Sequence, residues 1–408
     1  MKTNRVILIF VTLVLMVIAS HDNFVMTPTK SLSSQHRFSI IEWEINNIGS
    51  KLWNKLTNSS YKLHGIQVPR EFSDFMCLQQ EVRSLYTEVK YEIAKNGSLQ
   101  ESVPDHLQEL NKLKDKQRDL GVFIEGFLED IVEDSISSHG IGYKIGSIHF
   151  PPVAISFSPL PKLLVTSPRS NIFRLENILL SPDISTEEII ALENSIETNS
   201  DLSAIVVDIG GIATYPAMIS SVSSIEHTLN LISHEWLHHF LAFRPLGQHM
   251  LASGQMNELN ETIANIFGEA ISKELMVTYS DDLNMTKCSS KPTHGSTSFD
   301  FSLEMKLIRN KVDSLLQTGQ IDQAEAFMEN KRLFLVSKGY PIRKLNQAYF
   351  AFHGTYTDHP AAISDTFDKL VKLQERYPSL REFIWAVSGV STYQEFLQLV
   401  ADTQIQNP

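Results

Sequence analysis

The segment LISHEWLHHF, residues 231–240, places three imidazoles and a carboxylate inside an apolar run. Each of these groups is costly to bury unless it is paired, hydrogen-bonded or bound to a metal ion. His234 and His238 are four residues apart, so a helix presents both on one face. Neutral imidazoles at that spacing can reach one metal ion, and the intervening Glu235 can address a water held there. Such a match arises by accident in roughly a few per cent of chains of this size. The competing reading is a helix with a wet histidine face, so the flanking elements decide.

Ser223 and Glu226 form a capping-box pattern just before Ile225, Leu229 and Ile232 begin an apolar stripe, and Arg244-Pro245 stops the same helix. The motif therefore lies in mid-helix between apolar residues, where unligated histidines are expensive. A catalytic zinc also needs a third protein ligand and an open position. Downstream, MNELNETIANIFGEAIS (256–272) is a second amphipathic helix. Leu259, Ile263, Ile266, Phe267 and Ala270 form its apolar face, and Glu258, Glu261 and Asn265 lie on the other.

HExxH followed by a short connection and N-E-x-x-x-(D/N) resembles the gluzincins, the thermolysin-like and aminopeptidase-like zinc peptidases. The resemblance covers only the stretch from the histidine helix to the glutamate helix. It implies one zinc ion per chain held by His234, His238 and Glu261, with Glu235 as general base. Asn265 stands where the family has an acidic residue orienting a zinc-bound histidine, so its amide oxygen is a weaker acceptor. Glu258 is the alternative third ligand. The family fold also implies a substrate-lining edge strand upstream, matched in position by IVVDIGGIATYP (205–216). Gly210, Gly211 and Ala213 would let a peptide backbone approach closely, although an ordinary turn after a buried strand fits them too. An oxyanion donor is expected from the C-terminal helical half. There YFAFHGTYTDHP offers Tyr356 first, His353 second and Tyr349 one turn earlier. The sequence FLAFRPLGQH after the motif lacks H-x-x-G-x-x-H, which argues against metzincins. His239 turns to a different face from His238 and reads as a supporting or surface group, and His249 as a loop residue.

The whole chain has 408 residues, 42% hydrophobic and 20% charged, with a formal net charge of -12. These values describe an ordinary globular protein of two or three domains, and the lack of a basic run excludes nucleic acid as a partner. Lys2 and Arg5 precede an uncharged apolar run from Val6 to Ala19. Residues 1–20 read as a signal peptide or membrane anchor, the run being shorter than the roughly 20 residues of a typical span. Either reading places the remainder outside the cytoplasm, secreted or membrane-anchored, with the membrane as a partner if the segment is uncleaved. Cys77 and Cys288 allow one disulfide or two buried thiols and no thiolate zinc site. Asn58, Asn96, Asn260 and Asn284 begin N-x-S/T sequons.

Periodicity divides the chain into a helical N-terminal module (38–140), a core carrying strands and both motif helices (141–276) and a helical C-terminal lobe (277–408). Within the first, Phe75, Leu78, Val82, Leu85, Val89 and Ile93 recur at threes and fours, NGS breaks the run at 96–98, and a second long helix follows from Pro104. The expected fold is α+β and mostly helical, with a small mixed sheet, two zinc-site helices and helical N- and C-terminal parts. The expected activity is hydrolysis of bonds in a peptide or protein substrate through zinc-activated water. Two other readings fit the same residues. One is a non-catalytic exported helical protein with a structural or vestigial zinc site, its helical hairpin binding a partner. The other is a zinc hydrolase of non-peptide substrates.

Overall fold

Helical periodicity dominates the sequence, and the computed structural model is a mostly helical α+β fold. It describes residues 27–57, 71–96, 103–145, 148–221, 224–283, 299–354 and 365–405. The segment 1–20, Ser223, Tyr356, Cys288 and the sequons at Asn58 and Asn284 lie outside the described residues. Among the described residues no helix is long and apolar enough to cross a membrane. Cys77 is disulfide-bonded.

Helices α1 (Pro28–Leu32) and α2 (Ile40–Thr57) lead into the expected hairpin of α3 (Phe72–Asn96) and α4 (Val103–Ser138). Its sequence stripe is its seam. Val82, Val89 and Ile93 are buried against Leu110 and Leu113, with Leu78 and Leu85 partly buried beside them. Nearer the body of the protein, Phe75, Ile124, Leu128 and Ile131 pass into the main core.

Strands β1 (Tyr143–Ile145), β2 (Ile148–Phe150), β3 (Ile155–Ser156), β4 (Lys162–Pro168) and β5 (Glu176–Leu180) precede α5 (Thr186–Asn199). Ser185 and Glu188 form a capping box at the start of α5, with both of its hydrogen bonds present. Then come β6 (Leu202–Asp208), β7 (Gly211–Ile212) and β8 (Ala217–Ile219). The small mixed sheet is β3-β8-β7, parallel on one side of β8 and antiparallel on the other. A separate antiparallel sheet, β5-β4-β6, stands beside it. Alternation along β4 and β6 decides how that second sheet is covered. Leu164, Ala204 and Val206 face α5, while Val165 and Ile205 face helices from the C-terminal lobe.

The chain continues through α6 (Ile225–Leu241), α7 (Pro245–Gln248), α8 (Gly254–Thr278) and α9 (Ser280–Leu283). The C-terminal part supplies α10 (Phe301–Gln317), α11 (Ile321–Ser337), α12 (Gln347–His353), α13 (Thr366–Gln374), α14 (Leu380–Ser388) and α15 (Tyr393–Ile405). It packs in two places. Helices α10 to α12 share a core with β4 and β6, whereas Leu370, Phe383, Ile384 and Phe396 from α13 to α15 join the core around α6 and α8. The motif helices are thus held between the N-terminal hairpin and the last three helices.

Candidate metal centre

Helix α6 is capped one residue later than the capping pattern suggests. Ser224, in extended geometry, accepts a hydrogen bond from the His227 backbone N–H at 3.3 Å, so the cap is Ser224 and its partner three residues on is His227, not Glu226. Arg244 is extended, as the residue before Pro245 must be, and helix α6 stops at Leu241. Ser253 caps α8 through the Met256 N–H. The two helices cross closely at Gly268, where a Cβ would lie 2.7 Å from the Asn230 carbonyl oxygen. Their apolar faces, with Leu229, Trp236, Leu237 and Phe240 on one and Leu259, Ile263 and Phe267 on the other, form one core. The Trp236 indole N–H donates to the Pro151 carbonyl at 2.8 Å and fixes the rotation of α6 about its axis.

That rotation turns His234 and His238 toward Glu261 of α8, and Glu235 toward Gly211 of β7. His234 Nε2 and His238 Nε2 are 3.0 Å apart. Glu261 approaches both, with Oε2 at 3.6 Å from His234 Nε2 and Oε1 at 3.8 Å from His238 Nε2. Tetrahedral zinc with bonds near 2.0–2.1 Å separates its ligand atoms by about 3.3 Å. The three side chains therefore fit one such ion with small adjustments. Glu258 forms no ion pair with either imidazole, which leaves Glu261 as the carboxylate of this triangle. Glu235 also brings a carboxylate oxygen within 4.8 Å of the two histidine nitrogens. A second cluster, Glu88, Glu92 and His106 on the hairpin, is more open to solvent, so water already meets its needs.

Burial sets the electrostatics. It pushes the Glu235 carboxyl up to about 7 and holds His238 down at about 4. Burial alone would depress His234, but hydrogen bonding to Glu261, the charges of Glu235 and Glu261, and a hydrogen bond with Asn265 together raise it. Glu261 goes the other way: burial opposes its charge, yet the two imidazoles bring it to about 2. The buried Asn260 amide lies beside His238. Asn260 is fully enclosed within α8, so its sequon has no access to a glycan. The Asn265 contact with His234 is the one expected from its place on α8.

Several contacts escape sequence reasoning. Gly211, in edge strand β7, lies against the Glu235 carboxylate so closely that a Cβ there would collide with Oε1. His239 is held off the triangle by a 2.8 Å hydrogen bond between its Nε2 and the Thr214 carbonyl, in the β7–β8 loop. It is a support for that loop. His249 bonds the Pro245 carbonyl at 2.8 Å and takes no part. Arg174 is fixed by the Ala351 and Phe352 carbonyls at 3.3 and 3.0 Å and stacks on Phe352, and its charge helps keep Glu261 ionised. No signal in the sequence marks it. His353 closes α12 next to this anchor, packed 4.2 Å from the Tyr349 ring centroid. Tyr349 itself is buried.

Comparison with known protein families, with curated proteins and with solved structures finds no match to this chain.

Proposed function

We propose that this chain is a zinc-dependent peptidase that works outside the cytoplasm, secreted or tethered by its N-terminal segment. The observation that supports this most is the convergence of His234 Nε2, His238 Nε2 and Glu261 to within 3.0–3.8 Å of one another, with Glu235 beside them against an edge strand. Zinc, when bound by these three residues, supplies Lewis acidity and brings the pKa of its water near neutrality.

Glu235 takes a proton from the attacking water and returns it to the departing amine. Burial raises this carboxyl when no metal is bound, and the charge of a bound zinc would favour the ionised form that accepts the proton. Asn265 orients His234, with less polarising power than a carboxylate. Strand β7 is an edge among the described residues and lies next to Glu235, so an extended peptide can pair along it. Tyr356, or failing it His353, donates to the oxyanion.

The test uses the full chain and its Glu235→Gln variant, loaded with zinc and given casein or a peptide library. The wild type cleaves and chelation stops it, while the variant keeps its zinc and melting temperature but loses hydrolysis. Undiminished cleavage by Glu235→Gln would remove Glu235 as the base. A zinc-loaded wild type inert toward every peptide would favour a structural zinc site or a non-peptide substrate.

A further inference from the structure

The protein carries a formal charge of -12, yet three ammonium groups gather around Asp208, at the end of β6. Lys162, at the start of β4, lies 2.8 Å from Asp208, and Lys90 of α3 lies 3.2 Å from the same carboxylate. Tyr86 donates its phenol to Asp208 as well. Lys90 and Lys114, from the two arms of the hairpin, each sit 5.1 Å from the Tyr86 ring centroid. One carboxylate thus faces three lysines, and the local formal charge is +2.

The cluster's relation to α6 follows from two contacts. Gly211 lies against Glu235, and Gly210 lies against Leu231, one turn earlier. Moving backward along the chain from Gly211 therefore moves toward the N-terminus of α6. Asp208 lies three residues before Gly211 and the chain bends at Gly210, so the two are at most on the order of 10 Å apart. Helix α4 reaches the same end, since Gln117 donates to the Ser221 carbonyl at 2.6 Å and Lys114 is one turn before it. Lys90 and Asp208 keep 44% and 40% of their side-chain surface exposed, so an incoming group can reach them.

We infer that Lys90, Lys114 and Lys162, arranged around Tyr86 and Asp208, form a recognition subsite for a carboxylate of the peptide substrate, within about three residues of the scissile bond. This rests on the peptidase reading for its substrate but not for its charge. Asp208 neutralises one ammonium group and orders the cluster. Burial and the two other lysines lower the pKa of Lys114, a strain that a bound anion relieves. An acidic side chain supplies that anion. The Tyr86 ring gives its methylene groups an apolar surface.

The test reads binding rather than hydrolysis and uses the full chain carrying Glu235→Gln. A fluorescein-labelled peptide of alanine and glutamine with a central pair of glutamates is compared with its all-glutamine counterpart. The acidic peptide binds about tenfold more tightly, and Lys114→Gln or Lys90→Gln each remove about fivefold of that while leaving the neutral peptide unchanged. Inorganic phosphate at constant ionic strength competes weakly. Equal affinity for the two peptides, or a preference untouched by both lysine variants, overturns the subsite. Displacement by phosphate without any preference for the acidic peptide would make this a phosphate site and overturn the assignment to peptides. If the preference stands while the wild type hydrolyses nothing, the peptidase reading fails and the subsite survives.

Discussion

Gly211 leaves no room for a methyl group beside the carboxylate of Glu235. The nearest atoms a Cβ there would meet are those of the Glu235 side chain from Cγ to Oε1, none of them backbone, so Gly211→Ala displaces that side chain rather than the strand. We expect this variant to fold, to keep zinc and to lose about 100-fold in kcat, since a misplaced base loses most of its contribution. Wild-type kcat in Gly211→Ala, with unchanged zinc content, would show that Glu235 does not act from this position.

The ligand set makes a second prediction. His234→Ala, His238→Ala and Glu261→Ala should each abolish stoichiometric zinc, measured by elemental analysis after gel filtration. Glu258→Ala should retain it, because Glu258 pairs with neither imidazole. Removing zinc from the wild type should also lower the melting temperature, as a ligand bound only by the folded state stabilises it. Loss of zinc with Glu258→Ala alone would exchange the two glutamates.

Asn265 reaches His234 through its side chain. An acceptor on the far side of a ligating imidazole fixes its orientation and raises its basicity, and its loss typically costs 10- to 100-fold in metal affinity. Asn265→Ala should therefore weaken zinc binding by about 10-fold. Asn265→Asp should strengthen it, because a carboxylate is the better acceptor. Competition with a chromogenic chelator reads both. Identical affinities in all three proteins would mean that the contact does not bear on the metal.

Much of this centre is legible in the amino-acid sequence. The four-residue spacing of His234 and His238 and the amphipathic pattern around Glu261 are local, and helical geometry alone places such residues on shared faces. The hairpin seam is legible for the same reason. What stays hidden depends on packing between distant segments. Nothing in the sequence says that Gly211 meets Glu235, that Thr214 receives His239, or that Lys90, Lys114 and Lys162 meet at Asp208. The cap of α6 differs from the expected one by a single residue because adjacent serines offer equivalent hydroxyls, and backbone geometry chooses Ser224. How the short strands divide among separate sheets is not legible either, since strands this short do not announce their neighbours.

The last prediction concerns Glu44 on α2. Its carboxylate accepts the Tyr215 backbone N–H at 2.9 Å, in the same β7–β8 loop whose Thr214 carbonyl binds His239. Burial pushes the Glu44 carboxyl up to about 7, and the single backbone hydrogen bond only partly offsets it. Lys51, two turns further along α2, does not help, being committed to Glu125 and Glu129 at 2.5 and 3.0 Å. The folded protein therefore holds this proton more tightly than the unfolded chain, whose glutamates release it near 4.5. Glu44's contribution to stability is full below that value and is lost as pH rises through about 7. The loss is on the order of 2 kcal/mol once solvent screening is allowed for. Glu44→Gln keeps an acceptor for Tyr215 and has no charge to bury. Its urea midpoint should match the wild type at about pH 4 and exceed it at about pH 8, the gap opening between. A constant difference across that range would mean that Glu44 is ionised in the fold throughout. With the gap present, the β7–β8 loop should also become more protected from hydrogen exchange in the variant at the higher pH, because the group anchoring Tyr215 then carries no buried charge.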